Sequence, residues 1–144
     1  MYGFFIMIIG FMIYSTVSIL GKGNTQANAP QNLQAVQGQS QYRTITTGTT
    51  ESGDVEIALT PQWREGKLYI NMAVNTHSVD LDKFDLQQIT MLKYNNKQIK
   101  PTQAPSLSGH HSNGMLVFDV SEQPQKFTII MSSIPAMPER VFQW

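Results

Sequence analysis

The chain has no cysteine in its 144 residues, which excludes disulfide staples, thiolate metal sites and cysteine nucleophiles in whatever compartment it occupies. Charge of a prevailing sign is missing as well: ten Lys plus Arg balance ten Asp plus Glu. Nucleic-acid binding wants a basic surface, so the balance argues against it. Histidine is scarce, limited to His77 and the adjacent His110 and His111. The short strings that announce common chemistry are also lacking. No nucleophile elbow surrounds a serine, and no Gly-rich phosphate loop has the expected spacing. Ser108 or Ser112, His77 and Asp80 can be written as a triad on paper, but no oxyanion-hole motif accompanies them. Paired carboxylates for glycoside hydrolysis have no distinctive setting. The expectation is a protein with no catalytic residues.

What is present begins with an apolar run. Residues 3–20 carry no charged side chain, and at a 1.5 Å rise about 18 residues span most of a hydrocarbon core. A cleaved signal peptide would want a positive start and a small-residue cleavage site close behind a shorter core. Met1 and Tyr2 supply no cation, and Ala27-Asn28-Ala29 lies well past the run and is followed by Pro30. A prepilin reading of Gly3-Phe4 fails at Ile8, where a Glu is expected. Residues 1–21 are therefore expected to be a retained single-pass transmembrane helix. Lys22 alone is a weak vote for a cytoplasmic C-terminus, against which stands a polar remainder that translocation would not resist. The expected location is the cell membrane, with the C-terminal domain outside the cytoplasm.

Residues 22–53 are rich in Gln, Asn, Thr and Gly and read as a flexible tether. Within them Gln41 to Thr47 alternates and is Thr-rich, so its end is a candidate edge strand. From Asp54 onward the pattern becomes period two, the mark of half-buried strands. Val55, Ile57 and Leu59 alternate with polar or small residues until Pro61 closes the run, and Leu68, Ile70, Met72 and Val74 do the same. Ile89 to Tyr94 and Gln98 to Lys100 flank Asn95-Asn96, a pair suited to a tight hairpin turn. Met115 to Val120, Phe127 to Met131 and Arg140 to Trp144 complete about seven strands. With no long period-3.6 stretch, residues 54–144 are expected to form one all-β domain, an Ig-like or cupredoxin-like antiparallel sandwich. Phe142 and Trp144, on alternate residues of the last strand, are expected to plug it, with Glu139 and Arg140 near the surface.

The connection from Thr76 to Gln88 is unusual. Ser78, Asp80, Asp82 and Asp85 are placed to cap a short helical turn over Val79, Leu81, Phe84 and Leu86. Three Asp could also attract calcium, but the glycine turn and distal glutamate of an EF-hand loop are absent. His77 starts this connection, and His110 and His111 sit in a second loop, Gly109 to Gly114. Imidazole suits copper, zinc and nickel, and loops at one end of a sandwich gather ligands distant in sequence. The candidate metal ligands are His77, His110 and His111, with Asp80 or the Met115 thioether completing the set. Copper is favoured over zinc because Met72, Met91, Met115, Met131 and Met137 offer soft donors. Against this, adjacent histidines are a low-specificity signal, and most methionines in a sandwich fill core gaps.

Thr76-His77-Ser78-Val79-Asp80-Leu81, Gly109-His110-His111 and Pro138-Glu139-Arg140-Val141-Phe142-Gln143-Trp144 together resemble a family of exported or membrane-anchored prokaryotic β-sandwich proteins of uncharacterised activity. The resemblance covers residues 54–144. It implies that both histidine loops and the terminal segment belong to one design, and it transfers no activity. Two functions follow as expectations: a membrane-tethered metal-binding module, or a non-catalytic accessory subunit whose helix packs in a membrane or envelope complex with a protein partner. Gly3, Gly10 and Ser18 give that helix small residues for packing.

Overall fold

The period-two segments pair as two antiparallel sheets in the computed structural model, which describes residues 41–144. The expected anchor, and the expected tether up to residue 40, lie outside the described residues. Among those described, no helix is long and apolar enough to cross a membrane. Along the chain come β1 (Ile45–Thr47), β2 (Glu56–Arg64), β3 (Lys67–Asn75), α1 (Leu86–Ile89), β4 (Thr90–Tyr94), β5 (Lys97–Ile99), β6 (His111–Asp119), β7 (Thr128–Ser132) and β8 (Glu139–Gln143). One sheet has the order β1-β2-β3-β6 and the other β5-β4-β7-β8.

Alternation decides which side of each strand faces inward. Ile57 and Leu59 of β2, Leu68 and Ile70 of β3, and Leu116 and Phe118 of β6 are fully buried. They join one apolar core with Leu92 of β4, Ile129 and Met131 of β7, and Phe142 of β8. Burial of each such side chain stabilises by about 1.5–3 kcal/mol relative to leaving it in water. The expected plug is present for Phe142, which is fully buried, whereas Trp144 is only partly buried and stacks on Phe127 with centroids 4.9 Å apart.

Tight turns follow the local chemistry. Asn95 and Asn96 both take positive φ, 45° and 59°, in the β4–β5 hairpin, as the Asn pair predicts. Glu65 and Gly66 do the same between β2 and β3, at 51° and 76°. The Thr76 to Gln88 connection carries the short helix α1, whose N-cap Asp85 accepts from Gln87 N at 3.0 Å. Val79, Leu81 and Leu86 lie buried beneath it.

Three local expectations are corrected. Pro61 does not close its strand: β2 runs through it to Arg64, with Pro61 opposite Ile70. The register of β1 on β2 covers Ile57 to Leu59, so Pro61 lies beyond it, toward the end of β2. Secondly, His111 is the first residue of β6, opposite Asn75, so the loop ends one residue before it. The inward positions at this end of β6 are Ser112 and Gly114, so the inward apolar residues begin only at Leu116 even though the pairing begins earlier. Thirdly, Arg140 is 1% exposed rather than at the surface. The segment from Lys100 to Leu107 lies along the outer flank of β6, where Thr102 N donates to Val117 O at 2.7 Å and Val117 N to Gln103 O at 2.9 Å.

Strand register defines two ends of the sandwich. Glu56, Asn75 and His111 stand in one row at one end of the first sheet. Asp54, just before that row, is paired with Arg140 on β8, which brings the start of β4 and the end of β7 to the same end. At the opposite end the β4–β5 turn, Phe127 and Trp144 gather.

Candidate functional site

Two of the three histidines meet at the first of these ends. His111 opens β6 directly across from Asn75, the last residue of β3, and His77 follows Asn75 by two residues. Residues two apart on an extended chain share a face, so His77 becomes the diagonal neighbour of His111. Their rings lie edge to face, with centroids 6.5 Å apart and planes at 86°, and both are exposed.

Hydrogen-bond bookkeeping assigns the ring tautomer of His111. Glu56 Oε1 can only accept as a carboxylate, and it takes Asn75 Nδ2 at 3.0 Å. That orients the amide so that Asn75 Oδ1, an acceptor, faces His111 Nδ1 at 2.9 Å. Nδ1 must therefore carry the proton, and in neutral His111 the lone pair sits on Nε2. A ring nitrogen held by an outer partner while the other is left basic is the arrangement of metal-binding imidazoles.

The spacing also fits one ion between the two rings. With metal–nitrogen bonds of about 2.0–2.1 Å, two imidazoles on one ion place their centroids roughly 5 to 6.5 Å apart, the upper value for a near-linear arrangement. The observed 6.5 Å lies at that upper value.

The other expected ligands are placed elsewhere. His110 lines a shallow groove with Ser78, Asp80 and Asp82, and its carbonyl accepts from Thr76 N at 2.9 Å. Asp80 Oδ1 accepts from Asp82 N at 3.2 Å, the capping use of a loop Asp. Met115 is on the same outward face as His111 but four residues along β6, about 13 Å away by strand rise. It is exposed, as is Met137, whereas Met72 and Met131 are core. The five candidates thus divide into the pair His77 and His111, the groove pair His110 and Asp80, and a separate Met115. Among the described residues, no cluster of three or more His, Asp or Glu side chains is arranged to hold an ion.

Several residues support this end of the sandwich, among them Ser78, which binds another loop and does not cap the helical turn. Thr76 is fully buried; its Oγ1 donates to Asp54 O at 2.8 Å and accepts from Val79 N at 3.2 Å, which holds the stem of His77. Ser78 Oγ accepts from Gly53 N at 2.7 Å, tying the same connection to the β1–β2 loop. Asp54 in turn accepts from Arg140 Nη2 at 2.6 Å, Val55 N at 2.7 Å and Thr49 N at 2.9 Å. The Arg140 guanidinium, aided by these amides, holds the Asp54 carboxyl far below the usual carboxylate range. Glu56, Asn75 and Thr76 read in sequence as ordinary positions of a half-buried strand and its end. Their roles arise only from cross-strand register, which no local signal carries.

Comparison of the chain with protein-family models finds no matching family, and comparisons with curated proteins and with solved structures find no match.

Proposed function

We propose that this domain is a membrane-tethered, extracytoplasmic β-sandwich that binds one transition-metal ion between His77 and His111. The observation that carries the reading is the ring pair 6.5 Å apart, with the Nε2 lone pair of His111 set free by Asn75 and Glu56. Copper is favoured over zinc on ligand number: two imidazoles suffice for copper(I), whereas zinc wants about four ligands. Tethering rests on the uncharged apolar residues 3–20.

The test uses the full chain in detergent, titrated with Cu(I), Cu(II) and Zn(II). One ion per chain is expected, with Cu(I) tightest and affinity lowered in both His77→Ala and His111→Ala. Equal binding by the double His77→Ala/His111→Ala variant overturns the reading.

Strand order supports an Ig-like rather than cupredoxin-like assignment. With β1 set aside and β2 to β8 lettered A, B, C, C′, E, F and G, the sheets read A-B-E and C′-C-F-G, an immunoglobulin-type order without strand D. That order is common among interaction domains and favours the second reading, an accessory subunit of a membrane or envelope complex. Stoichiometric copurification of a partner from detergent extracts tests it.

A further inference from the structure

We propose that the groove at the end of the sandwich opposite His77 and His111 docks on an acidic lipid surface. This rests on the tethered reading given above and adds an orientation to it. The groove, of about 570 Å³, lies between the β4–β5 turn and the ends of β7 and β8. Lys93, Lys97 and Lys126 line it with no Asp or Glu side chain among the lining residues, and all three are exposed. Phe127 and the partly exposed Trp144 form its aromatic wall, stacked at 4.9 Å. Lysines around an amphipathic Trp are the composition of a headgroup-level contact, with cations for lipid phosphates and carboxylates and an indole for the interface.

Two further observations point the same way. The first described residues lie at this end: Tyr42 OH donates to Pro124 O at 2.8 Å, and Trp144 Nε1 donates to Arg43 O at 2.7 Å. The ring of Tyr42 also packs edge-on against Phe127, 5.2 Å away. The second observation is the distribution of charge in a chain that is neutral overall. Apart from the Lys67–Asp119 pair, the groove end holds Arg43, Arg64, Lys93, Lys97 and Lys126 against Glu65 and Glu122. Apart from the Asp54–Arg140 pair, the histidine end holds Glu51, Glu56, Asp80, Asp82, Asp85 and Glu139 against Lys83 and Lys100. Positive and negative ends are separated by the length of β3, about 27 Å. A negatively charged surface attracts one end and repels the other, so the histidine pair faces away from the membrane.

The experiment uses the full, cysteine-free chain reconstituted in vesicles, with Gln98→Cys at the groove or Asp82→Cys at the far end carrying an environment-sensitive fluorophore. In vesicles with 30% phosphatidylserine, the label at position 98 is expected to shift to the blue relative to pure phosphatidylcholine, while the label at 82 stays unchanged. Raising the salt reverses the shift. Lys93→Glu/Lys97→Glu/Lys126→Glu lowers the docking equilibrium on the order of a hundredfold or more, given roughly a fivefold effect per lysine near such a surface. An unchanged label at 98, or a shift at 82 instead, overturns the docking. So does a label at 98 that responds equally to inorganic phosphate without vesicles, which identifies a free-anion site. A chain that fails to float with pure phosphatidylcholine vesicles overturns the tether, and the docking with it.

Discussion

Asp54 and Arg140 form an ion pair of 2.6 Å across 86 residues of sequence, with the arginine side chain at 0% exposure and the carboxylate side chain at 17%. Arg140 Nη2 also donates to Pro135 O, while its Nε and Nη1 find no hydrogen-bond partner among the described residues. The pair fastens β8 to the loop that precedes β2, and so supports the end of the sandwich on which the histidines stand.

Breaking this pair from one side should be far more costly than replacing both members. Asp54→Ala leaves a buried guanidinium uncompensated, and a loss of about 3–5 kcal/mol is expected. Arg140→Met alone should cost less, since Asp54 keeps its backbone donors and some access to water. The double Asp54→Ala/Arg140→Met variant should be more stable than Asp54→Ala. Urea unfolding of the three variants measures the coupling, and strictly additive losses would contradict it.

Acid sensitivity follows from the same carboxylate. The folded-state pKa of Asp54 is depressed below its unfolded value of about 3.9. The folded state therefore binds fewer protons there, and the associated stability is fully present well above pH 4. It is lost as pH falls below about 4 toward the depressed folded value. Urea midpoints of the wild type should fall more steeply between about pH 4 and 2 than those of Asp54→Asn. Parallel curves would assign the acid response to other groups.

Gly48 and Gly53 separate backbone conformation from space. Both have positive φ, 76° and 83°, but a Cβ on Gly48 meets Val55 O and Arg140 Nη1, whereas a Cβ on Gly53 meets nothing within 4 Å. Gly53→Ala should cost only the left-handed penalty of about 1–2 kcal/mol. Gly48→Ala should cost more, because backbone and a buried guanidinium must also move. Equal losses in thermal unfolding would show that the Gly48 loop yields without disturbing Arg140.

For the histidine pair, the outer partners give a sharper test than the ligands. Asn75→Leu removes the acceptor that holds His111 Nδ1–H and should weaken metal binding by about 10- to 100-fold. Glu56→Gln should do less: the amide side chain can still accept, but it no longer dictates which way Asn75 points. Competition titrations that show no change for Asn75→Leu would remove the Asn75 contact from the site.

Much of the fold is legible in the residues themselves. The alternation at Ile57, Leu59, Leu68 and Ile70 states which side is buried, and Asn95-Asn96 states where a hairpin turns. The start of β6 is hidden because Ser112 and Gly114 occupy inward positions, so pairing with β3 outlasts the apolar pattern. Arg140 is hidden for a different reason. A charged residue next to Glu139 looks solvated until its carboxylate, 86 residues away, is brought beside it. The histidines were visible as scarce residues near chain turns, but which two of the three would meet depends on the Asn75–His111 register. Sequence spacing alone left His110 and His111 equivalent.

The segment along the flank of β6 also bears on how copies of the chain meet one another. A strand edge with free N–H and C=O groups is a template for a strand from another molecule. Here Thr102 and Gln103 occupy those groups at Val117, two residues before the end of nine-residue β6. The other edge strands are short, three residues each for β1 and β5 and five for β8. Crowded on a surface, neighbouring molecules would find little length of open ladder for strand exchange. Removing residues 102 and 103 should turn β6 into a self-associating edge.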